Sequence, residues 1–599
     1  MKRFLSLILA VCMLAGTGIL PAFAEETTYT GAGNGKAGEG SIEVAVTLDG
    51  EGNITGIEIT KDVDGEDGTG MSSTAIAGVT EQIVTNNTLA VDVVAGATLT
   101  SQGIIQAVEN ALISAGLDPD AYRTEPGETE VEEAKETVEE NVDVLVIGAG
   151  IAGLSAALSA KENGANVVII DKMPIPGGTT NLAGGILVCV NSDLYKDCRI
   201  ASDSLEAVME YWKAHMSVSD VDSGYPDYER LEGVLADTGA TVDWLVANDI
   251  EFSAEPFAGS ATYPMALANG GGSGLINMLV ASAQAREIPL VLECKGQALL
   301  TDDSGAVIGA IAETADKSII YHAKSVILTT GGISQNEELV EKYSPKLHRA
   351  GLVPTSAVSH TGDGFLMALE VGAGTFDVFS TPLFGTTFDP ALAMAADTSA
   401  LTIYGQLGVN ADGKRFGNEA ASAGWDTMDY TASDMIQDGN APFWYIYDSS
   451  NEEVAAVLEA GAAVGAAAKG ETIEELALNM HVYTGALKAT YDAYAAAVAA
   501  GEDKEFGKPA AFLAPIEKAP FYAVKVYPTT FGSAGGVTTT EDGRVTRQDG
   551  TVIPGLYAAG EMSNRYFYNE NYILAASLGL YSTMGRRAGA AAAQDAAAK

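Results

Sequence analysis

Apolar and polar residues alternate along Ile42-Glu43-Val44-Ala45-Val46-Thr47-Leu48, the period-two pattern of a strand with one buried face. Gly50 to Gly52 turn the chain, and Ile54 to Thr60 return as a hairpin partner. The period then lengthens: Ile104, Val108, Ala111, Leu112 and Ile113 recur at roughly helical spacing. Residues 25–115 therefore predict a small α+β unit. Residues 116–141 carry Pro119, Pro126 and many glutamates with few apolar positions, the pattern of a solvated linker, extended or partly helical.

Val142 to Ile147 is apolar except for Asp143 and predicts a buried strand. A Gly-rich turn, an Ala/Leu-rich helix and a second strand, Val167 to Ile170, complete a βαβ unit. Ser325 to Leu328 predicts another buried strand that runs into Thr329-Thr330-Gly331-Gly332. Residues 381–520 are richer in aromatic and polar side chains, with one helical stretch from Ile473 to Ala500, and suit an inserted α+β capping domain. Gly555 to Glu561 resumes strand-turn character before a helix through Arg586. The expectation is a multidomain α/β and α+β chain. A Rossmann-like domain is built from 142–380 and 521–599, with the cap between.

Residues 1–24 open with Lys2 and Arg3, continue through the apolar Phe4 to Ala15, and end at Ala22-Phe23-Ala24, which reads as a signal peptide. The mature chain is then expected to start near Glu25, secreted or in the cell envelope. Cys12 leaves a lipoprotein anchor as the weaker alternative. The net charge of -47, from 80 acidic and 33 basic side chains, argues against nucleic-acid binding. Cys189, Cys198 and Cys294 show no CxxC or CxxCH spacing, which gives no support to haem or a cysteine-held metal. Cys189 and Cys198 could pair as a disulfide or remain inert thiols. The histidines are scattered, so no metal site is expected and any chemistry falls to an organic cofactor.

Gly148-Ala149-Gly150-Ile151-Ala152-Gly153 places GxGxxG between the first βαβ strand and its helix. Gly148 permits the tight turn, Gly150 lets the backbone approach a pyrophosphate, and Gly153 lets the helix pack on the strand. Asp171 ends the second strand, where a carboxylate accepts hydrogen bonds from a ribose. This is a dinucleotide site.

Further motifs follow in order: Lys172, then Gly177-Gly178-Thr179, Ala183-Gly184-Gly185, Thr330-Gly331-Gly332, Asp363 within Thr361 to Gly364, and Gly560-Glu561. Together they resemble the flavoprotein subunit of the fumarate reductase and succinate dehydrogenase family, and the resemblance implies non-covalent FAD. Asp92-Val93-Val94-Ala95-Gly96-Ala97-Thr98 resembles the FMN-attachment motif of the exported, urocanate-reductase-type members, with Ala95 where the motif has a hydroxyl residue. That resemblance implies FMN covalently held at Thr98, with Asp92, Gly96 and Ala97 forming the rest of the address. It also implies a flavin transferase and a membrane electron donor as partners. The motif's position at a predicted helix start suits a phosphate, because free N–H groups gather there.

Asp412 to Glu419 resembles the segment that bears the proton-donating arginine of fumarate reductases, making Arg415 the candidate acid. The same resemblance marks departures. The family's Thr-Glu pair falls at Thr398-Ser399, a relay arginine at Thr402, a substrate histidine at Gly532 and the carboxylate-clamping arginine at Tyr572. A desolvated dicarboxylate needs bidentate cationic partners, so fumarate is not the expected substrate. Asn571-Tyr572-Ile573 resembles instead the flavin ketosteroid dehydrogenase branch, which makes Tyr572 a second candidate acid. Phe531, Tyr527, Phe567 and Tyr568 lie nearby in sequence and suggest an aromatic pocket. The implied activity is reduction of an activated C=C bond of an unsaturated acid or enone by hydride from FAD, with electrons entering through FMN. A dehydrogenase or desaturase running in reverse, and a non-catalytic electron carrier, are the alternatives.

Overall fold

The computed structural model describes residues 27–50, 52–64, 71–91, 98–123, 135–216, 224–257, 263–379, 385–401, 406–420, 440–569 and 572–599. The chain divides into two compact units, Met1–Ala134 and Lys135–Lys599.

In the first unit, strands Thr27–Gly35, Gly38–Leu48 and Ile54–Asp62 form an antiparallel sheet in sequence order. Ile42, Val44, Val46 and Leu48 point to one face, where alternation puts them, and are buried against Ala75, Val79 and Ile83 of helix Met71–Asn86 and Ile104 and Val108 of helix Thr98–Ser114. The second helix lies close on the first strand because that strand offers glycine at alternate positions. A Cβ on Gly31 would sit 2.0 Å from the Ala107 carbonyl oxygen, and one on Gly33 would sit 1.9 Å from that of Gly103. The helix begins at Thr98, as the sequence motif requires.

The second unit is built on an eight-stranded sheet. Strands Val552–Ala558, Lys317–Leu328, Glu136–Ile147, Val167–Ile170 and Leu290–Val291 run parallel and adjacent in that order. The strand expected at residue 142 starts at Glu136, so the linker is shorter than the sequence suggested. The extension pairs Glu136 to Asn141 with Lys317 to His322, a partnership that local composition does not reveal. Helix Ile151–Glu162 follows the Gly-rich turn and packs on the terminal helix Ser577–Ala598, where Cβ atoms on Gly585 and Gly589 would each fall 2.1 Å from carbonyl oxygens of that helix.

The cap is a six-stranded sheet. Its central strand, Phe521–Thr530, pairs with Val353–Pro354, Gly385–Phe388, Phe443–Tyr447 and Ala467–Gly470. The expected cap boundary at residue 520 is therefore wrong by one whole strand. That strand is almost entirely buried, which makes its sequence equally compatible with either sheet. The single helix expected from Ile473 to Ala500 is two, Ile473–Asn479 and Thr484–Ala500. Cys189 and Cys198 are unbonded thiols, the first buried and the second exposed.

Candidate active site

A cavity of about 370 Å³ opens at the carboxyl ends of the parallel strands. Gly148, Gly150, Asp171, Lys172, Gly177, Gly178, Thr179, Ala183, Gly184, Thr330, Gly331, Asp363, Gly560, Glu561 and Tyr572 all line it. Ligands of open α/β sheets bind at this edge.

The first turn is shaped by sterics. Gly148 has φ +108°, and a Cβ there would lie 2.4 Å from the Thr329 carbonyl oxygen. Gly150 faces open space, its nearest Cβ neighbour being 3.7 Å away, which leaves room for a pyrophosphate at the start of helix Ile151–Glu162. Gly153 is not in the lining: a Cβ on it would strike the Gly148 carbonyl oxygen at 1.9 Å, so its task is packing. Gly185 and Gly332 also stand behind the wall, pressed against Gly271 and the Glu561 carboxylate respectively.

Asp171 accepts hydrogen bonds from the N–H groups of Ala149 at 2.7 Å and Met173 at 2.9 Å. Burial nevertheless holds its carboxyl above the usual range. Lys172 donates to Thr361 at 2.6 Å and to Asp363 at 2.5 Å, and Lys295 lies 3.4 Å from the other Asp363 oxygen. Against its burial, those lysines hold the Asp363 carboxyl below its ordinary value. Both lysines of the lining are thus directed at one carboxylate.

Glu561 accepts from the Ser533 N–H and from its hydroxyl at 3.1 Å. Its second oxygen is 3.5 Å from His360 Nδ1, a buried atom without a hydrogen-bond partner, while His360 Nε2 pairs with Thr179 Oγ1 at 3.0 Å. Burial raises the Glu561 carboxyl, opposed by His360 and Ser533. His360 and Ser533 were not singled out in the sequence; a lone histidine before a Gly-Asp-Gly turn carries no spacing signal. A Cβ on Gly532 would meet both Glu561 oxygens at 2.5 Å, so no histidine side chain fits there without displacing that carboxylate.

Tyr568 and Tyr572 are stacked with ring centroids 5.7 Å apart and both line the cavity. The Tyr568 hydroxyl lies 2.9 Å from Ser577 Oγ, and Asn564 Nδ2 donates to the Tyr581 hydroxyl at 2.6 Å. Burial drives the Tyr568 and Tyr581 phenols well above their ordinary range, keeping them protonated. Phe531 joins this wall, whereas Phe567 is in the core and Tyr527 is on the cap sheet, its hydroxyl turned to Asp389.

Arg415 is not in the cavity lining. It makes a bidentate pair with Glu419, a third bond to Asp503 at 2.9 Å, and stacks over Phe506, all within the cap. Two carboxylates fix the guanidinium inside the cap. Thr398 is in a short 3-10 turn, while Thr402 lies outside the described residues. Asp92, Gly96 and Ala97 also lie outside them, as does the Thr98 side chain.

The glycine cradle, the terminal carboxylate Asp171 and the unpartnered buried nitrogen of His360 fit FAD. These features define a flavin-dependent oxidoreductase. Residues 143–577 match the FAD binding domain family and residues 38–113 the FMN-binding domain family. Urocanate reductase of Eggerthella lenta is 30% identical over 591 residues, covering 94% of this chain and 92% of that one. The open conformation of a flavocytochrome c3 fumarate reductase superposes with a TM-score of 0.59 at 26% identity over 76% of this chain and 79% of that one. A 3-ketosteroid-Δ4-(5α)-dehydrogenase from Rhodococcus jostii gives a TM-score of 0.57 at 27% identity over 78% and 99%. The chain belongs to the fumarate and urocanate reductase family of FAD- and FMN-domain flavoproteins, enzymes acting on carbon–carbon bonds.

Proposed function

We propose that this protein is an extracytoplasmic ene-reductase that reduces the activated C=C bond of an α,β-unsaturated acid or enone other than fumarate. The observation that carries this reading is the Glu561 carboxylate filling the space beside Gly532 in a cavity also lined by the Tyr568–Tyr572 stack, where a dicarboxylate would need cations. When bound along the cradle from Gly148 to Thr179, FAD supplies a hydride for one alkene carbon. The chain's own residues supply the rest. The apolar wall of Phe531 and the tyrosines excludes water and presents a flat face to a planar substrate. The Tyr572 phenol donates a hydrogen bond to the activating carbonyl or a proton to the second alkene carbon. Tyr568, held by Ser577, fixes the Tyr572 ring.

Electrons enter through FMN joined to the Thr98 hydroxyl, installed by a flavin transferase and reduced by a membrane donor. The burial of two other hydroxyls of that helix start supports Thr98 as the acceptor: Thr100 and Ser101 are 4% and 0% exposed. The pattern of residues 1–24 supports export. Anaerobic incubation of the flavin-loaded protein with a reduced viologen and a panel of enoates and enones tests the activity; dye left reduced with every compound counts against it. The Tyr572 phenol and the ketosteroid dehydrogenase likeness favour one second reading, dehydrogenation of a saturated ketone, which predicts reduction of an artificial acceptor by such a ketone.

A further inference from the structure

In the first unit, Asp64 is only 4% exposed, although it sits in an acidic turn that reads as solvated. Its Oδ1 accepts the Ala37 N–H at 2.7 Å, and its Oδ2 accepts both the Lys36 N–H and the Thr100 hydroxyl at 2.7 Å. The Ser41 side chain is a fourth partner, and a carboxylate that meets only donors satisfies them in full when ionised. Burial works against ionisation, but these bonds, led by that of Thr100, hold the Asp64 carboxyl below its ordinary value. Gly35 is what makes room: a Cβ there would fall 2.2 Å from Asp64 Oδ2. Gly103 lets the helix close on the same point, its own Cβ position lying 2.8 Å from the Gly35 backbone.

The carboxylate therefore ties two pieces of chain together. One is the 36–37 turn between the first two strands. The other is the first turn of helix Thr98–Ser114, gripped through Thr100, two residues beyond Thr98. The Lys36 and Ala37 N–H groups are already committed to Asp64, so they are not donors for a flavin phosphate.

We propose that Asp64 is a positioning residue for covalent flavinylation, locking the backbone of the helix turn that carries Thr98. This rests on the reading that Thr98 carries FMN. Attachment forms a Thr98 Oγ–phosphorus bond and breaks the pyrophosphate P–O bond of a flavin dinucleotide donor. AMP leaves, the hydroxyl proton passes to solvent, and no electrons change hands. Holding the nucleophile in one geometry lowers the entropic part of that barrier.

The full chain, produced with a flavin transferase, is sampled over time by intact mass, each modified molecule gaining one FMN less one water. Asp64→Asn and Thr100→Val are expected to slow flavinylation about tenfold or more, the scale set by one charge-assisted hydrogen bond. Thr100→Ser, which keeps the hydroxyl, is expected to match the parent. A parent chain that never gains flavin overturns the Thr98 reading itself. A modified parent with Asp64→Asn and Thr100→Val modified at the same rate overturns the role of Asp64. Should Asp64→Asn lose its fold, Thr100→Val against Thr100→Ser decides, and equal rates for those two overturn the proposal.

Discussion

Arg415 is paired to Glu419: its Nε and Nη2 lie 2.9 and 2.8 Å from the two carboxylate oxygens, with the side chains 4% and 5% exposed. Removing Arg415 leaves two buried carboxylates, Glu419 and Asp503, with Lys508 as the cation at 3.4 Å from Glu419, at a cost of about 3–5 kcal/mol. Arg415→Ala is expected to lower the melting temperature of the flavin-free protein markedly. A general acid would instead lose turnover with its melting curve intact, so the two measurements together separate the roles.

Asp503 extends that network, accepting from Arg415 and from the Lys508 N–H. Burial raises its carboxyl, yet the Arg415 bond and charge outweigh this and place it below 3.8. A depressed carboxylate contributes stability that is present above the unfolded value, about pH 4, and is lost as pH falls through the folded one. Asp503→Asn is therefore expected to flatten the dependence of unfolding on pH below about 4, read by urea denaturation at several acid pH values.

Tyr572→Phe removes the phenolic donor while keeping the ring that stacks on Tyr568. Turnover of a substrate found in the enoate and enone panel is expected to fall about 10²-fold, the scale of a general acid. FAD content, read from the visible spectrum, is expected to stay at the parent's level.

Gly148→Ala tests the cradle. At φ +108° with the Thr329 carbonyl oxygen 2.4 Å from the new Cβ, the turn must shift. The purified variant is expected to retain less than about a tenth of the parent's FAD, since strain and clash together exceed about 1.4 kcal/mol.

Gly33→Ala tests the close approach of strand and helix in the first unit, where the added Cβ would meet the Gly103 carbonyl oxygen at 1.9 Å. A cost of about 1–3 kcal/mol is expected. Hydrogen exchange of the amides in helix Thr98–Ser114 measures it as lost protection.

The dinucleotide site was legible because a bound pyrophosphate constrains backbone, and backbone constraints appear as glycines at fixed spacing followed by a carboxylate at Asp171. The strand Val167–Ile170 and the start of the helix at Thr98 were legible for related reasons, a short apolar run and a motif at a predicted helix start. The setting of Arg415 was not legible, because a basic residue beside glycine and phenylalanine looks the same whether it points at a ligand or at a carboxylate. The partner was four residues away at Glu419, but Asp503 and Phe506 arrive only through the fold. Asp64 was invisible for the opposite reason: an acidic turn predicts solvent, and only glycines 29 and 39 positions distant, Gly35 and Gly103, create the space that buries it.

The central strand of the cap sheet, Phe521–Thr530, continues directly into Phe531, Gly532 and Ser533 on the cavity wall, and Ser533 holds Glu561 through its N–H and hydroxyl. Only a bend at Phe531 separates the two, so the end of the strand sets the backbone that carries Ser533. The donors that hold Glu561 are thus set by the cap sheet, while Glu561 itself follows strand Val552–Ala558 of the parallel sheet, so its carboxylate is placed by both sheets at once.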